Sequence, residues 1–178
     1  MKTGIFVALT ALLVAVFAIP EAQGINGQSL NLRVWGANLI SSDENGIPTP
    51  TDSTPVTAFQ SGMAKGGGGS ASLFASVALP AFDPGLIPPD CTGLGLPGNP
   101  LAQTIVLTYN DGSLLSLVAG PGSFYCTDGI IFIVEAVGEV RAGAGRFEGA
   151  TGTWELTAET LPPGGTGLFT GEISIDFE

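Results

Sequence analysis

Gly143-Ala144-Gly145-Arg146-Phe147-Glu148-Gly149-Ala150-Thr151-Gly152-Thr153-Trp154-Glu155-Leu156 is the stretch that decides the fold of this chain. It joins two runs in which apolar and polar residues alternate with period two, the pattern of strands with one buried face. Before it, Ile130, Phe132, Val134, Ala136 and Val140 alternate with Glu135, Glu139 and Arg141. After it, Trp154, Leu156 and Ala158 alternate with Thr153, Glu155, Thr157 and Glu159. Glycine crosses tight turns and sharp bends at little steric cost. Gly143, Gly145, Gly149 and Gly152 are therefore expected to serve backbone geometry at a bend and not to contact a ligand.

The same alternation extends in both directions. Pro162-Pro163-Gly164-Gly165 turns the chain into Phe169, Ile173, Ile175 and Phe177, spaced by Thr170, Glu172, Ser174 and Asp176. Upstream, Thr104–Tyr109 and Ser113–Val118 flank Asn110-Asp111-Gly112, and an Asp-Gly between two such runs is a strong hairpin signal. Leu30, Leu32 and Val34 alternate with Asn31, Arg33 and Trp35, which reads as a first strand ending at Gly36. Val56 to Phe59 reads as a short edge strand, and Ala71 to Leu79 as a strand entered through a flexible Gly66-Gly67-Gly68-Gly69. Proline-studded stretches predict long loops at about 38–65 and 80–103. Seven to nine strands in one antiparallel sheet give an all-β fold, a single up-and-down barrel of about eight strands, with a two-sheet β-sandwich as the alternative.

The N-terminus predicts the compartment. Lys2, an apolar run from Ile5 to Ile19, and Ala22-Gln23-Gly24 read as a cleaved signal peptide over 1–24, the run being too short to span a bilayer. The product is expected to be secreted or periplasmic, with no membrane insertion after cleavage. Residues 25–178 suit one domain. Losing Lys2 and Glu21 with the leader leaves four basic and fifteen acidic residues, so the net charge stays at −11. Such a field repels phosphate backbones, and nucleic acid is excluded as a partner. In an oxidising compartment the two cysteines, Cys91 and Cys126, are expected to pair. Closing that loop of about 36 residues stabilises a fold by roughly 3–4 kcal/mol on a chain-entropy model.

The chemical inventory argues against catalysis. The chain has no histidine, so it has no imidazole base, no Ser-His or Cys-His nucleophile and no standard zinc site. Glu155 and Glu159 could pair with Glu172 and Asp176, but they alternate with the buried positions and should face solvent. No metal and no cofactor is expected. Gly66–Gly69 lacks the Lys-Ser/Thr and the following helix of a phosphate loop.

The segment from Gly143 to Leu156 resembles the G-x-G-x-F-x-G-x-x-G-x-x-x-L stretch that joins two strands in the allene oxide cyclase and dirigent-like barrels and their secreted bacterial relatives. The likeness covers about the last 50 residues of the sequence. It implies an eight-stranded antiparallel barrel, a homo-oligomer in the form of a trimer, and a lumen that holds a small apolar molecule. In the cyclases the working residues sit on early strands and include a carboxylate. The matching region here, Leu30 to Asn38, has Arg33, Trp35 and Asn38 but no acid, so no catalytic residue carries over. The expected function is a non-catalytic binding or surface-interaction module, with an isomerase or cyclase acting by confinement as the alternative. The inward positions mix large residues, Phe132, Trp154, Phe169 and Phe177, with small ones, Ala75, Ala136, Ala158 and Gly171. The large ones are the candidate ligand-binding residues, and an apolar pocket is expected beside the small ones.

Overall fold

The computed structural model describes residues 25, 27–41, 56–80, 98–127, 132–161 and 167–178. The expected signal peptide and Cys91 lie outside them. Ten strands follow in chain order: β1 (Ser29–Ser41), β2 (Val56–Gly66), β3 (Gly69–Leu79), β4 (Gly98–Pro100), β5 (Ala102–Tyr109), β6 (Leu114–Ala119), β7 (Phe124–Thr127), β8 (Phe132–Ala144), β9 (Gly152–Leu161) and β10 (Leu168–Phe177). Every pairing is antiparallel.

Eight of the strands close a ring, β1-β2-β3-β5-β6-β8-β9-β10, through the β10–β1 and β8–β9 pairings. One sheet thus runs round the molecule without a break, and the sandwich alternative is overturned. The two short strands extend the ring. β4 continues β5 past Leu101, and β7 continues β6 past Gly120–Ser123. Thr104 faces Val118 but Pro100 faces Phe124, two residues further than straight pairing would bring it. The β6–β7 connection absorbs that excess as a bulge, closed by the Ser123 hydroxyl, which donates to the Val137 carbonyl and accepts from the Val137 N–H.

Period-two alternation holds along the walls, so the lumen is filled from eight directions. Leu32, Val34, Leu73, Ile105, Leu107, Leu115, Leu117, Trp154, Ile173 and Ile175 meet in one buried cluster. Eight strands enclose a space just wide enough to be filled by side chains. The Trp154 ring lies over the adjoining strand β8 and needs a gap there, which its cross-strand partner Gly138 supplies. A Cβ there would sit 2.8 Å from the indole nitrogen. The indole N–H is shared between the carbonyls of Val118 and Glu139, each 3.2 Å away.

Several boundaries differ from the sequence reading. β1 does not end at Gly36 but runs to Ser41, because Gly36 stays in register opposite Gly62 and the two backbones approach where neither carries a Cβ. β2 is no short edge strand. It is eleven residues long and paired on both sides, so the loop expected at about 38–65 is strand at both ends. Its link to β3 is a two-residue turn, Gly67-Gly68, and not a flexible entry. The loop expected at about 80–103 contains β4 and the start of β5. Between β8 and β9 the chain makes one 3-10 turn, Gly145–Phe147. Gly145, Gly149 and Gly152 have φ of 66°, 74° and 148°, a region costly for residues with a Cβ. Gly143 does not share it, but a Cβ there would strike the Phe147 carbonyl.

Candidate functional site

Strand direction sorts the connections into two ends. At one, β2–β3, β5–β6 and β8–β9 are joined by Gly67-Gly68, Asn110–Ser113 and Gly145–Thr151. At the other, the links between β1 and β2, β3 and β4, β7 and β8, and β9 and β10 pass through 42–55, 81–97, 128–131 and 162–166, outside the described residues. The first end is shut by rings. Phe147 packs on Tyr109 at 5.0 Å and on Phe177 at 6.1 Å between centroids. The Arg146 guanidinium lies over both the Tyr109 and Phe147 rings, 4.3 and 4.7 Å from their centroids, pairs with Asp111 at 3.2 Å and donates to the Gly68 carbonyl. One cation therefore ties three turns together. Burial pushes the Tyr109 hydroxyl above its usual pKa, an effect the Arg146 charge partly offsets. Asp111 is held below its usual value, mainly by the Ser113 N–H it accepts at 3.0 Å.

The second end holds a run of buried polar side chains. Asn38, Gln60, Gln103 and Thr160 all point inward and are buried. Gln103 Nε2 donates to Gln60 Oε1 at 3.3 Å, Gln60 Nε2 to Asn38 Oδ1 at 2.8 Å, and Asn38 Nδ2 to Thr160 Oγ1 at 2.9 Å. The ladder crosses the lumen from β5 to β9, passing over β3 and β10. On β3 it crosses a small residue, Ala75, which pairs with Gln60, with Ala58 and Ala158 to either side; on β10 it passes beside Phe169, which pairs with Thr160. Gln103 Oε1, the acceptor at its far end, is buried without a hydrogen-bond partner.

Amide side chains occupy much of the space beside Ala75 and Ala158, and the apolar space left there is small. Two voids lie there among the described residues. The larger, about 20 Å³, lies between Asn38, Gln60, Thr160 and Phe132. The smaller, about 10 Å³, lies beside Gln103, Ala158 and Phe169. A void needs roughly 10–15 Å³ to admit one water, so both are on the scale of solvent molecules.

The four expected ligand-binding residues do not converge on one place. Phe132, half-buried and stacked on Tyr125 at 4.9 Å, lines the larger void at the long-loop end, and Phe169 lines the smaller. Trp154 is wedged against the wall in mid-barrel, and Phe177 belongs to the ring plug at the opposite end. Tyr125 is buried, which raises its hydroxyl pKa. Cys126 follows it on β7, packed with Phe124 and Ile133 in a small cluster apart from the main core. Its expected partner lies outside the described residues. Glu155, Glu159, Glu172 and Asp176 stand exposed on the outer wall. No charged side chain is buried among the described residues, and no group of three or more carboxylates or cysteines there could hold a metal ion.

The ladder residues were missed by stopping the alternation too early. Asn38 continues the parity of Leu30, Leu32 and Val34; Gln60 that of Ala58 and Ala64; Gln103 that of Ile105 and Leu107; Thr160 that of Trp154, Leu156 and Ala158. Carrying each parity two residues further would have placed four polar groups inside the lumen.

No family model matches the chain, and no curated protein matches it. Two similar solved structures are the pterocarpan synthase dirigent protein PsPTS1, with 11% identity and a TM-score of 0.49 over 85% of this chain and 97% of that one, and the pterocarpan synthase dirigent protein GePTS1, with 12% identity and a TM-score of 0.47 over 86% of this chain and 87% of that one.

Proposed function

We propose that this protein is an exported, non-catalytic binding barrel that takes a small uncharged molecule at its long-loop end. The observation that carries the reading is the buried amide ladder. Burying four polar side chains in an apolar lumen adds less stability than packing hydrocarbon there, and one acceptor, Gln103 Oε1, gains no bond. A few convergent polar groups within an apolar lining are what a small-molecule site uses to orient its ligand. The lining carries no charge, so the ligand is neutral, with an apolar body and one hydrogen-bonding group. No acid or base is at hand to transform it by proton transfer. Anything larger than water displaces Phe132, the half-buried ring beside the larger void.

The leader over 1–24 places the protein outside the cytoplasm in this reading. There Cys91 and Cys126 form a disulfide that ties the 81–97 connection to β7 near Tyr125. Alkylation of both cysteines in the non-reduced protein would overturn that bond. For the site itself, titration with aminoanthracene, a neutral fluorescent amine, tests the reading. Binding is expected to the natural protein and not to a variant carrying both Gln60→Leu and Gln103→Met. Equal binding to both, or binding to neither, would overturn it.

A further inference from the structure

We infer that the outer wall formed by β1, β2 and β3 is the surface by which this protein lies on a phospholipid bilayer with anionic headgroups. Seven large apolar side chains stand exposed among the described residues. Four of them, Trp35, Phe59, Met63 and Phe74, are on these three strands, and a fifth, Leu168, adjoins them on β10. Trp35 pairs with Met63 across β1 and β2, and Phe59 stacks on Phe74 with centroids 6.2 Å apart. Leu168 pairs with Ala37, which follows Trp35 on the same face of β1. At about 200 Å² for a large side chain, the five leave roughly 450 Å² of apolar surface in water. A patch of that size marks a contact with a protein or a membrane.

The charge distribution names the occupant. Arg33 and Lys65 are exposed cross-strand partners on β1 and β2, next to the Trp35–Met63 pair on the side of the short turns. β1, β2 and β3 carry no carboxylate. β10, beside them, brings Asp176 near its end and Glu172, the cross-strand partner of Arg33, and no ion pair joins Glu172 to Arg33. The other strand carboxylates, Glu135, Glu139, Glu155 and Glu159, lie on β8 and β9, which stand opposite β2 and β3 in the ring. Packed sheets are about 10 Å apart. Those four therefore lie beyond the roughly 8 Å over which physiological salt lets a charge act. The wall thus has an apolar centre, cations on one border and most of the repelling groups on the far side. Such a surface rests at the headgroup boundary, its rings in the acyl edge and its long cationic stems reaching phosphates. Tryptophan is enriched at that depth. A fluid bilayer also conforms to the convex outside of a barrel without needing a matching pocket. The net charge of −11 opposes the approach, so the apolar side chains supply the binding and the two cations the orientation. Nucleic acid has no apolar layer to offer and stays excluded. Carboxylates on the remaining walls keep the barrel on the bilayer and not across it. The inference does not rest on the lumen site.

Co-sedimentation of the exported protein with vesicles tests it. Binding is expected to phosphatidylcholine mixed with phosphatidylglycerol in equal parts, and weaker binding to phosphatidylcholine alone. Acrylamide quenching locates the contact. Trp154 is 1% exposed and Trp35 41%, so the quenchable emission belongs to Trp35 and should be shielded on binding. Phe74→Ser should weaken binding to the mixed vesicles by on the order of 10-fold or more. Arg33→Gln with Lys65→Gln should weaken it by about 10-fold there and hardly at all on phosphatidylcholine. Leu114→Ser, which removes an exposed apolar side chain on β6, opposite β1, should change neither. Near-UV circular dichroism checks that each variant is folded; if Phe74→Ser is not, Met63→Ser gives the same reading. No vesicle binding, equal binding to the two compositions, or binding that leaves Trp35 open to acrylamide would each overturn the inference. So would equal losses from Leu114→Ser and Phe74→Ser, or a self-association that shields Trp35 without lipid.

Discussion

At one end of the barrel the strands are joined by short turns and the lumen is shut by the rings of Tyr109, Phe147 and Phe177. At the other the connections are longer and the lumen is crossed by the amides of Asn38, Gln60 and Gln103. Both ends are buried, but burial is achieved differently. Rings need only contact, and each added neighbour contributes more dispersion and more apolar area out of water. Amides need partners in addition, and each one left without a partner costs about 1–3 kcal/mol. The first end is therefore held mainly by ring contact, with one buried hydroxyl, that of Tyr109, left without a hydrogen-bond partner. The second tolerates a network with an open acceptor, and its groups can change partners when another molecule arrives.

Phe147→Ala is the hardest test of this contrast. It should cost about 3–5 kcal/mol in chemical denaturation, because a buried ring with two ring neighbours and a guanidinium above it leaves a cavity that cannot collapse. Phe132→Ala, at the opposite end, removes a half-buried ring and should cost about 2 kcal/mol or less. Equal costs would erase the distinction between the two ends.

Gln60→Leu breaks the ladder in the middle. It deprives Asn38 Oδ1 of its donor and Gln103 Nε2 of its acceptor, and should destabilise by about 2–4 kcal/mol. Replacing Asn38, Gln60 and Gln103 by leucine or methionine together with Thr160 by valine removes the orphaned groups, and should restore stability to the natural level or above it. A quadruple variant less stable than the single one would mean that the ladder is structural, like the ring plug.

Gly149→Val should cost about 1–3 kcal/mol, because φ of 74° disfavours a β-branched residue while the space around the position is open. Thermal unfolding reads the change. If stability held and aminoanthracene binding vanished, this turn would belong to a site after all.

The smallest effect is expected from pH. Burial holds Tyr109 and Tyr125 above the ordinary phenol value of 10.0, so the fold favours the neutral phenol. Their contribution to stability is intact below pH 10 and is lost as pH rises above it, through the folded values. The chain has only two tyrosines, so tyrosinate absorbance follows one at each end. Arg146→Met removes the cation that partly offsets burial at Tyr109. One of the two titrations should then move to higher pH while the other stays in place.

How far the sequence could be read depended on how local each cause was. The Asp111-Gly112 turn, the glycines from 143 to 152 and the runs from Phe132 to Phe177 announce themselves because each is settled by neighbours a few residues away. β2 was not legible at full length. Gly62 and Gly66 look like strand breakers, and only the partners brought up by β1 show that they sit where two backbones approach. How the expected lumen residues are spread along the barrel was not legible for a related reason. Parity says that Phe132, Trp154, Phe169 and Phe177 point inward, but not at what height along the barrel, and height depends on the stagger between strands.

By itself, then, the sequence determined an all-β chain with one dry face, the positions of its sharpest turns and the absence of imidazole chemistry. Those follow from backbone sterics and composition, which each residue carries with it. Only the tertiary structure decided that the sheet closes through β8–β9 and β10–β1, that amides fill the space beside Ala75 and Ala158, and that the carboxylates gather on three adjacent strands. Those depend on strand order and register, which join residues as distant in sequence as Asn38 and Thr160, and no window along the chain contains both partners.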